Sequence, residues 1–271
     1  MRLDGETRLF PIIGDPIVYA RSPELLTASL RTRGANAACV PLEVPRDALD
    51  PVMSGLSASR NVDGILVTMP HKHAVTAHCA TLSETSRLLG AVSVIRRNED
   101  GSWHGDSQDG SSFVKAQIDQ GAVVEGSRVL LIGAGGAGSA IAIALLAGGA
   151  RELVIHDIDE TRVRDLIRLL GDRADGRAHH GPPDPRGCAM LCHATHLGMA
   201  EGDAMPIDPG LLDPSIFVGD VIAGHGVTPL IQAARDAGCR TATGDQMVEA
   251  VQSMMVDFML GAWTEDHAGR E

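Results

Sequence analysis

The stretch Val129-Leu130-Leu131-Ile132-Gly133-Ala134-Gly135-Gly136-Ala137-Gly138 limits what this chain can fold into more than any other. An apolar, β-branched run feeds into a glycine-rich turn, and a helix of small residues follows from Ser139 to Ala147. Strand, tight turn and helix in that order form the fingerprint of a dinucleotide-binding βα unit. Gly133 permits the turn, Gly135 lets the main chain approach a pyrophosphate, and Gly138 lets helix and strand pack closely. Ala134, Gly136 and Ala137 complete the loop as cofactor-facing positions. The free N–H groups at the helix start would face the phosphates. A second strand, Glu152 to His156, ends in Asp157, 19 residues past Gly138, where a ribose-binding carboxylate is expected. The competing reading is an ordinary βα turn in a protein that binds no nucleotide.

The chain of 271 residues is long enough for one large or two medium domains. It is 44% apolar but only 3% aromatic, so its cores must be built from Leu, Ile, Val, Ala and Met. A net charge of −12 speaks against nucleic acid or an anionic membrane as partner. No apolar run reaches the ~18 residues of a membrane span, and Met1 to Glu6 lacks a signal-peptide core. Five cysteines, an odd number without framework spacing, fit a reducing cytoplasm. Cys188-x-x-x-Cys192-His193 invites a metal reading, but 188–193 reads better as a buried strand and no metal is expected.

In chain order, Leu9 to Gly14 reads as a strand and Ser22 as the cap of a helix with Pro23 at its first position. Ala38 to Val44 and Gly64 to Thr68 are further strands, and Asp47 to Ala58 is an amphipathic helix. Ala91 to Arg96 and Ser102 to Gly105 form a hairpin, expected at one edge of a mostly parallel sheet. The helix opening at Asp109 leads to the glycine loop. Strands then recur at 152–157, 188–193 and 216–222, with Gly171 to Arg186 as surface loop. The apolar helix past Gly244 is expected to return and pack on the first domain, and Glu265 to Glu271 to be a frayed tail. The fold class is therefore α/β, with two domains: residues 1–108 plus 243–271, with a mostly parallel sheet, and a doubly wound Rossmann-type domain over 109–242.

In this order the motifs resemble the shikimate dehydrogenase family over nearly the whole chain. Gly14-Asp15-Pro16-Ile17 with Arg21-Ser22-Pro23 is similar to the family's opening, and Val67-Thr68-Met69-Pro70-His71-Lys72 to its N-V-T-x-P-x-K. Gly90-Ala91-Val92 and Gly105-Asp106-Ser107-Gln108-Asp109-Gly110 resemble G-A-V-N-T and G-x-N-T-D-G. Ala194 to Met199, Thr228-Pro229-Leu230 and Gly244-x-x-Met247 resemble the later motifs. The resemblance implies an NAD(P)-dependent dehydrogenase acting on the CH–OH group of a cyclic hydroxy acid. Lys72 and Asp109 are its implied catalytic pair: the lysine takes the hydroxyl proton as hydride departs, and the carboxylate orients the amine and passes protons. Ser22, Thr68, Ser93 and Gln252 are the implied substrate contacts. Thr195, Val221 and Gly244 join the glycine loop and Asp157 on the cofactor.

The departures are as informative. The family's first carboxylate-binding hydroxyl falls on Ala20, and the asparagine of N-V-T on Leu66. The N-T of G-A-V-N-T falls on Ser93 and Val94, a late tyrosine on Ala223, and a late glutamine on Val251, next to Gln252. A site built to bond hydroxyls discriminates strongly, so the pocket is retuned toward a less polar ring acid. In the family's N-R-T-like run the arginine is here Ile158, between Asp157 and Asp159. A carboxylate there repels a 2′-phosphate, so NAD is favoured, with NADP possible through Arg162. His71, beside Lys72, is a candidate to line the cleft. None of His73, His156, His193, His196 and His225 stands at an informative spacing from a carboxylate. The oligomeric expectation is monomer or homodimer. A catalytically silent NAD-binding sensor is the alternative function, and a methylene-folate dehydrogenase a third reading.

Overall fold

A computed structural model describes residues 3–18, 20 and 22–261. Arg21 of the opening motif and the tail from Glu265 to Glu271 lie outside the described residues. The chain divides into two compact units, Met1–Gln108 with Gln252–Glu271, and Asp109–Val251. Both are α/β with mostly parallel sheets.

In the first unit, β1 (Arg8–Gly14), β2 (Ala37–Glu43) and β3 (Gly64–Val67) run parallel in the order β2-β1-β3. Helices α1 (Ser22–Thr32) and α2 (Leu49–Ala58) connect them, as βαβ crossovers require. The apolar spacing read in α2 is met: Leu49 and Met53 are buried, with Val52 and Leu56 packed on the same core as Ile13, Ile65 and Trp103. After the two-residue β4 (Thr81–Leu82) and the short α3 (Glu84–Leu89), β5 (Val94–Arg97) and β6 (Trp103–Asp106) form the expected antiparallel hairpin. The hairpin does not close the sheet. Strand β4 pairs with β6 in parallel and takes the edge, giving the order β2-β1-β3-β5-β6-β4. Two ladder residues are too short to leave an alternating pattern in the sequence.

The second unit begins with α4 (Asp109–Asp119) and holds six parallel strands. They are β7 (Arg128–Ile132), β8 (Glu152–His156), β9 (Ala178–His180), β10 (Met190–His193), β11 (Phe217–Asp220) and β12 (Arg240–Ala242). Their order, β12-β11-β10-β7-β8-β9, is doubly wound, with the chain reversing direction between β7 and β10. Helices α5 (Gly136–Ala147), α6 (Glu160–Leu170) and α7 (Pro229–Asp236) make the connections. Two sequence expectations are corrected here, and one strand had no expectation. Helix α5 starts at Gly136, not Ser139, because both glycines of its first turn adopt helical backbone despite their low propensity. The presumed loop 171–186 contains β9, whose exposed His179 and His180 hide an edge strand beside β8. Strand β12, also short and at an edge, was not read at all.

Helix α8 (Gly244–Gly261) is the last described element. Its second half packs on the first unit, as expected from its apolar faces. A Cβ on Gly64 would stand 2.9 Å from Met259 Sδ, the Phe258 ring lies 5.8 Å from that of His104, and Arg33 pairs with Asp257 at 2.8 Å. No described helix is long and apolar enough to cross a membrane.

Candidate active site

The carboxyl ends of parallel strands, next to the point where strand order reverses, are where doubly wound sheets bind ligands. In the second unit that point is flanked by the turns after β7 and β10. Gly133 has φ +106, and a Cβ there would meet the Ala194 carbonyl oxygen at 2.7 Å and Thr195 Cγ2 at 2.9 Å. A Cβ on Gly138 would stand 2.0 Å from the Gly133 carbonyl oxygen. These two glycines are demanded by the protein's own packing. Gly135 and Gly136 are different: nothing lies within 4 Å of where their Cβ atoms would be. Gly135 is the N-cap of α5 and makes no side-chain cap, and the first turn of the helix carries no acid. Open space, main-chain donors and the positive end of a helix dipole together suit a diphosphate.

Asp157, just past β8, is buried beside this turn. Its Oδ2 accepts the Ala134 N–H at 2.8 Å and its Oδ1 the Asp159 N–H at 2.9 Å. The carboxylate thus ties the β8 end to the glycine turn, a role the sequence reading had not given it. A carboxylate has about four acceptor positions, which leaves capacity for ribose hydroxyls. Ile158 is 95% exposed. Asp159 caps α6 by accepting the Thr161 N–H at 2.9 Å, and Arg162 sits 3.6 Å from its carboxylate. On the other side, the half-buried Val221 donates its N–H to the His193 carbonyl at 3.1 Å. Gly244 is needed because a Cβ would lie 2.3 Å from the Ile222 carbonyl. Asp203 holds the turn after Thr195 by accepting the Gly198 and Ala200 N–H groups, which lowers its pKa, the Ala200 bond foremost.

Asp109 is the first residue of α4 and half-buried. A Cβ on the next residue, Gly110, would fall 2.1 Å from the Ala140 carbonyl oxygen. Glycine therefore lets the start of α4 lie directly on α5, which fixes Asp109 relative to the dinucleotide helix.

Of the other candidate residues, Thr68, Lys72 and Ser93 lie past or beside the carboxyl end of β3 in the first unit, Ser22 at the start of α1 and Gln252 in α8. Thr68 follows β3 and donates its N–H to the Ile13 carbonyl at 3.0 Å. Its methyl would collide with a Cβ on Gly14, at 2.4 Å. The His71 N–H returns to the Thr68 carbonyl at 3.0 Å, and the Val92 N–H donates to the Lys72 carbonyl at 2.8 Å. The Lys72 main chain is thereby pinned at both sides, with the side chain half-buried. His71 corrects the sequence reading: it does not line a cleft. Its ring is 1% exposed and its Nε2 lies 2.6 Å from the Val44 carbonyl oxygen, so it anchors the turn from inside. Ser93 is likewise buried, and its Oγ accepts the Gln108 N–H at 2.9 Å. Ser22 is half-buried at the start of α1. Gln252 is buried, and its Nε2 makes no hydrogen bond with the described residues.

One grouping escaped sequence reasoning altogether. His193 and Asp220 end β10 and β11, and the parallel register sets them side by side, 27 positions apart in the chain. The signal was present as two predicted neighbouring strands, each ending in a polar residue. Cys192 beside them is fully buried, and burial pushes its thiol pKa up. Among the described residues no three His, Cys, Asp or Glu side chains gather in a way that could hold a metal ion.

Comparison with known proteins agrees with this architecture. Residues 12–95 match the family described as the shikimate dehydrogenase substrate binding domain. The NADP(+) shikimate dehydrogenase of Rubrobacter xylanophilus is 38% identical over 252 residues, 91% of this chain and 88% of that protein. Shikimate 5-dehydrogenase from Listeria monocytogenes, solved with shikimate and NAD, is 25% identical with a TM-score of 0.89, covering 98% of this chain and 94% of the other. The ligand-free 5-ketofructose reductase of Gluconobacter sp. strain CHM43 is 27% identical with a TM-score of 0.86, covering 94% and 93%. The chain is thus a two-domain oxidoreductase with a Rossmann-type unit. It belongs to the shikimate dehydrogenase family.

Proposed function

We propose that this chain interconverts a secondary alcohol on a cyclic acid and the corresponding ketone, with NAD as preferred cofactor. The observation that carries this reading is the open glycine cradle, Gly135 and Gly136 at the start of α5, in a chain of this family. The unit containing that cradle is the cofactor domain, and the other holds the ring acid. The nicotinamide, when bound, accepts the hydride. Lys72 takes the proton of the reacting hydroxyl, and Asp109 orients the amine and carries the proton onward. Gly133 to Gly138 with Asp157, Thr195, Val221 and Gly244 form the cofactor surface.

Ser22, Thr68, Ser93 and Gln252 contact the substrate. The unpartnered Gln252 amide supports its inclusion, since a buried donor left unsatisfied costs ~1–3 kcal/mol and a ligand oxygen would complete it. The substrate is shikimate, quinate or a less hydroxylated analogue. Apolar residues at Ala20, Leu66, Ala223 and Val251 support the last, because they offer no partner to ring hydroxyls.

The exposed Ile158 supplies no charge for a 2′-phosphate, and Asp157 beside it disfavours one. NAD preference runs against the NADP(+) named for the Rubrobacter relative, whereas the Listeria enzyme was solved with NAD. Steady-state kinetics with both cofactors tests it. The wild type should show kcat/KM at least about tenfold higher with NAD, and Ile158→Arg should shift the ratio toward NADP by about tenfold, a cost or gain near 1.4 kcal/mol. Preference of the wild type for NADP would overturn the assignment.

A further inference from the structure

The buried pair His193 and Asp220 belongs to a longer chain of hydrogen bonds. Asp220 Oδ2 accepts the Thr228 hydroxyl at 2.6 Å, and its Oδ1 accepts the Ile222 N–H at 3.1 Å. His193 Nδ1 lies 3.1 Å from the same Oδ1, and His193 Nε2 lies 2.6 Å from Thr195 Oγ1. The Leu197 N–H donates to Thr195 Oγ1 at 3.1 Å. His193 and Asp220 are 0% exposed and Thr228 3%.

Polarity runs one way along this chain. An ionised carboxylate only accepts, which assigns a proton to His193 Nδ1. Nε2 is engaged by the Thr195 hydroxyl, whose oxygen also accepts the Leu197 N–H. Every buried polar atom in the run has its partner, so the network is rigid rather than costly.

Its two ends locate its work. Thr228 caps α7, its Oγ1 accepting the Ile231 N–H at 3.4 Å. The other end is the turn after β10, where the Thr195 methyl faces Gly133 of the dinucleotide loop across the sheet's reversal point. The network therefore fixes the wall against which the glycine turn is set. A histidine buried beside an aspartate invites an acid–base reading. Zero exposure and full engagement of both nitrogens exclude direct contact with substrate.

We propose that His193 is a positioning residue for the dinucleotide: through Thr195 it holds the 194–198 turn in the conformation that receives the cofactor. The proposal rests on the dinucleotide-binding reading above. It assigns no proton transfer to His193.

Isothermal titration of NAD and, separately, of shikimate into wild type, Thr195→Val, His193→Leu and the double variant tests it. Thr195→Val keeps the methyl packing on Gly133 and removes only the hydroxyl, so it retains the fold if His193→Leu does not. The expected result is an NAD Kd weakened about tenfold or more in each single variant, no further weakening in the double variant, and an unchanged shikimate Kd. Thr195→Ser, which keeps the hydroxyl and removes only the methyl, should retain most of the NAD affinity. A merely structural role would lower the melting temperature and weaken both ligands together. That outcome, or NAD binding at wild-type strength in Thr195→Val, would overturn the proposal while leaving the dinucleotide reading intact. A wild type that binds neither NAD nor NADP would overturn both.

Discussion

Arg97 ends β5 and gathers five main-chain carbonyls. Its Nε donates to Val62, its Nη1 to Ser57 and Gly101, and its Nη2 to Leu56 and Ser59, at 2.9 to 3.2 Å. Three of those carbonyls belong to the last turn of α2 and its cap, where no i+4 N–H of the helix reaches them. The guanidinium also lies over Trp103, 4.1 Å from the ring centre. A lysine has three donors on one nitrogen and cannot span that set. Arg97→Met should therefore cost on the order of 2 kcal/mol or more, read as a lower urea midpoint with unchanged slope, and Arg97→Lys should recover little of it. Most of this is not legible locally, because four of the five carbonyls sit 35 to 41 positions upstream. The same limit hid the His193–Asp220 contact and the inward turn of the His71 ring. Lys72, Thr68 and Asp109 were legible as candidates because they sit in short ordered motifs.

At the scale of elements, the glycine turn separates two kinds of requirement that look alike in the sequence. Gly138 is needed for packing on Gly133, whereas Gly135 faces open space with ordinary negative φ of −79°. Gly138→Ala should lower stability by several kcal/mol or prevent folding, since a Cβ 2.0 Å from a main-chain oxygen forces helix and strand apart. Gly135→Ala should leave the melting temperature within a few degrees and weaken NAD binding about tenfold or more. Comparing calorimetric melting with NAD titration on the two variants checks both outcomes. Equal loss of stability would mean that the open face of the turn is not a ligand surface. The amphipathic period of α2 and the continuous apolar run of β7 could be read from sequence. Strands β4, β9 and β12, of two or three residues each, could not. Their place comes from pairing with a neighbour, not from a pattern of their own.

For the whole molecule, the alternation of strands and helices was enough to define two α/β units. It did not reveal that a two-residue strand completes the first sheet. Lys72, in the first unit, is the residue on which the proposed function turns. The most direct test is reduction of NAD by the wild type and by Lys72→Ala, with shikimate and quinate, alongside titration of NAD into both proteins. The account predicts turnover by the wild type with at least one of the two acids. It predicts a fall of about 10²–10⁴ in kcat for Lys72→Ala, with an NAD Kd equal to that of the wild type. Turnover by Lys72→Ala at the wild-type rate would contradict it.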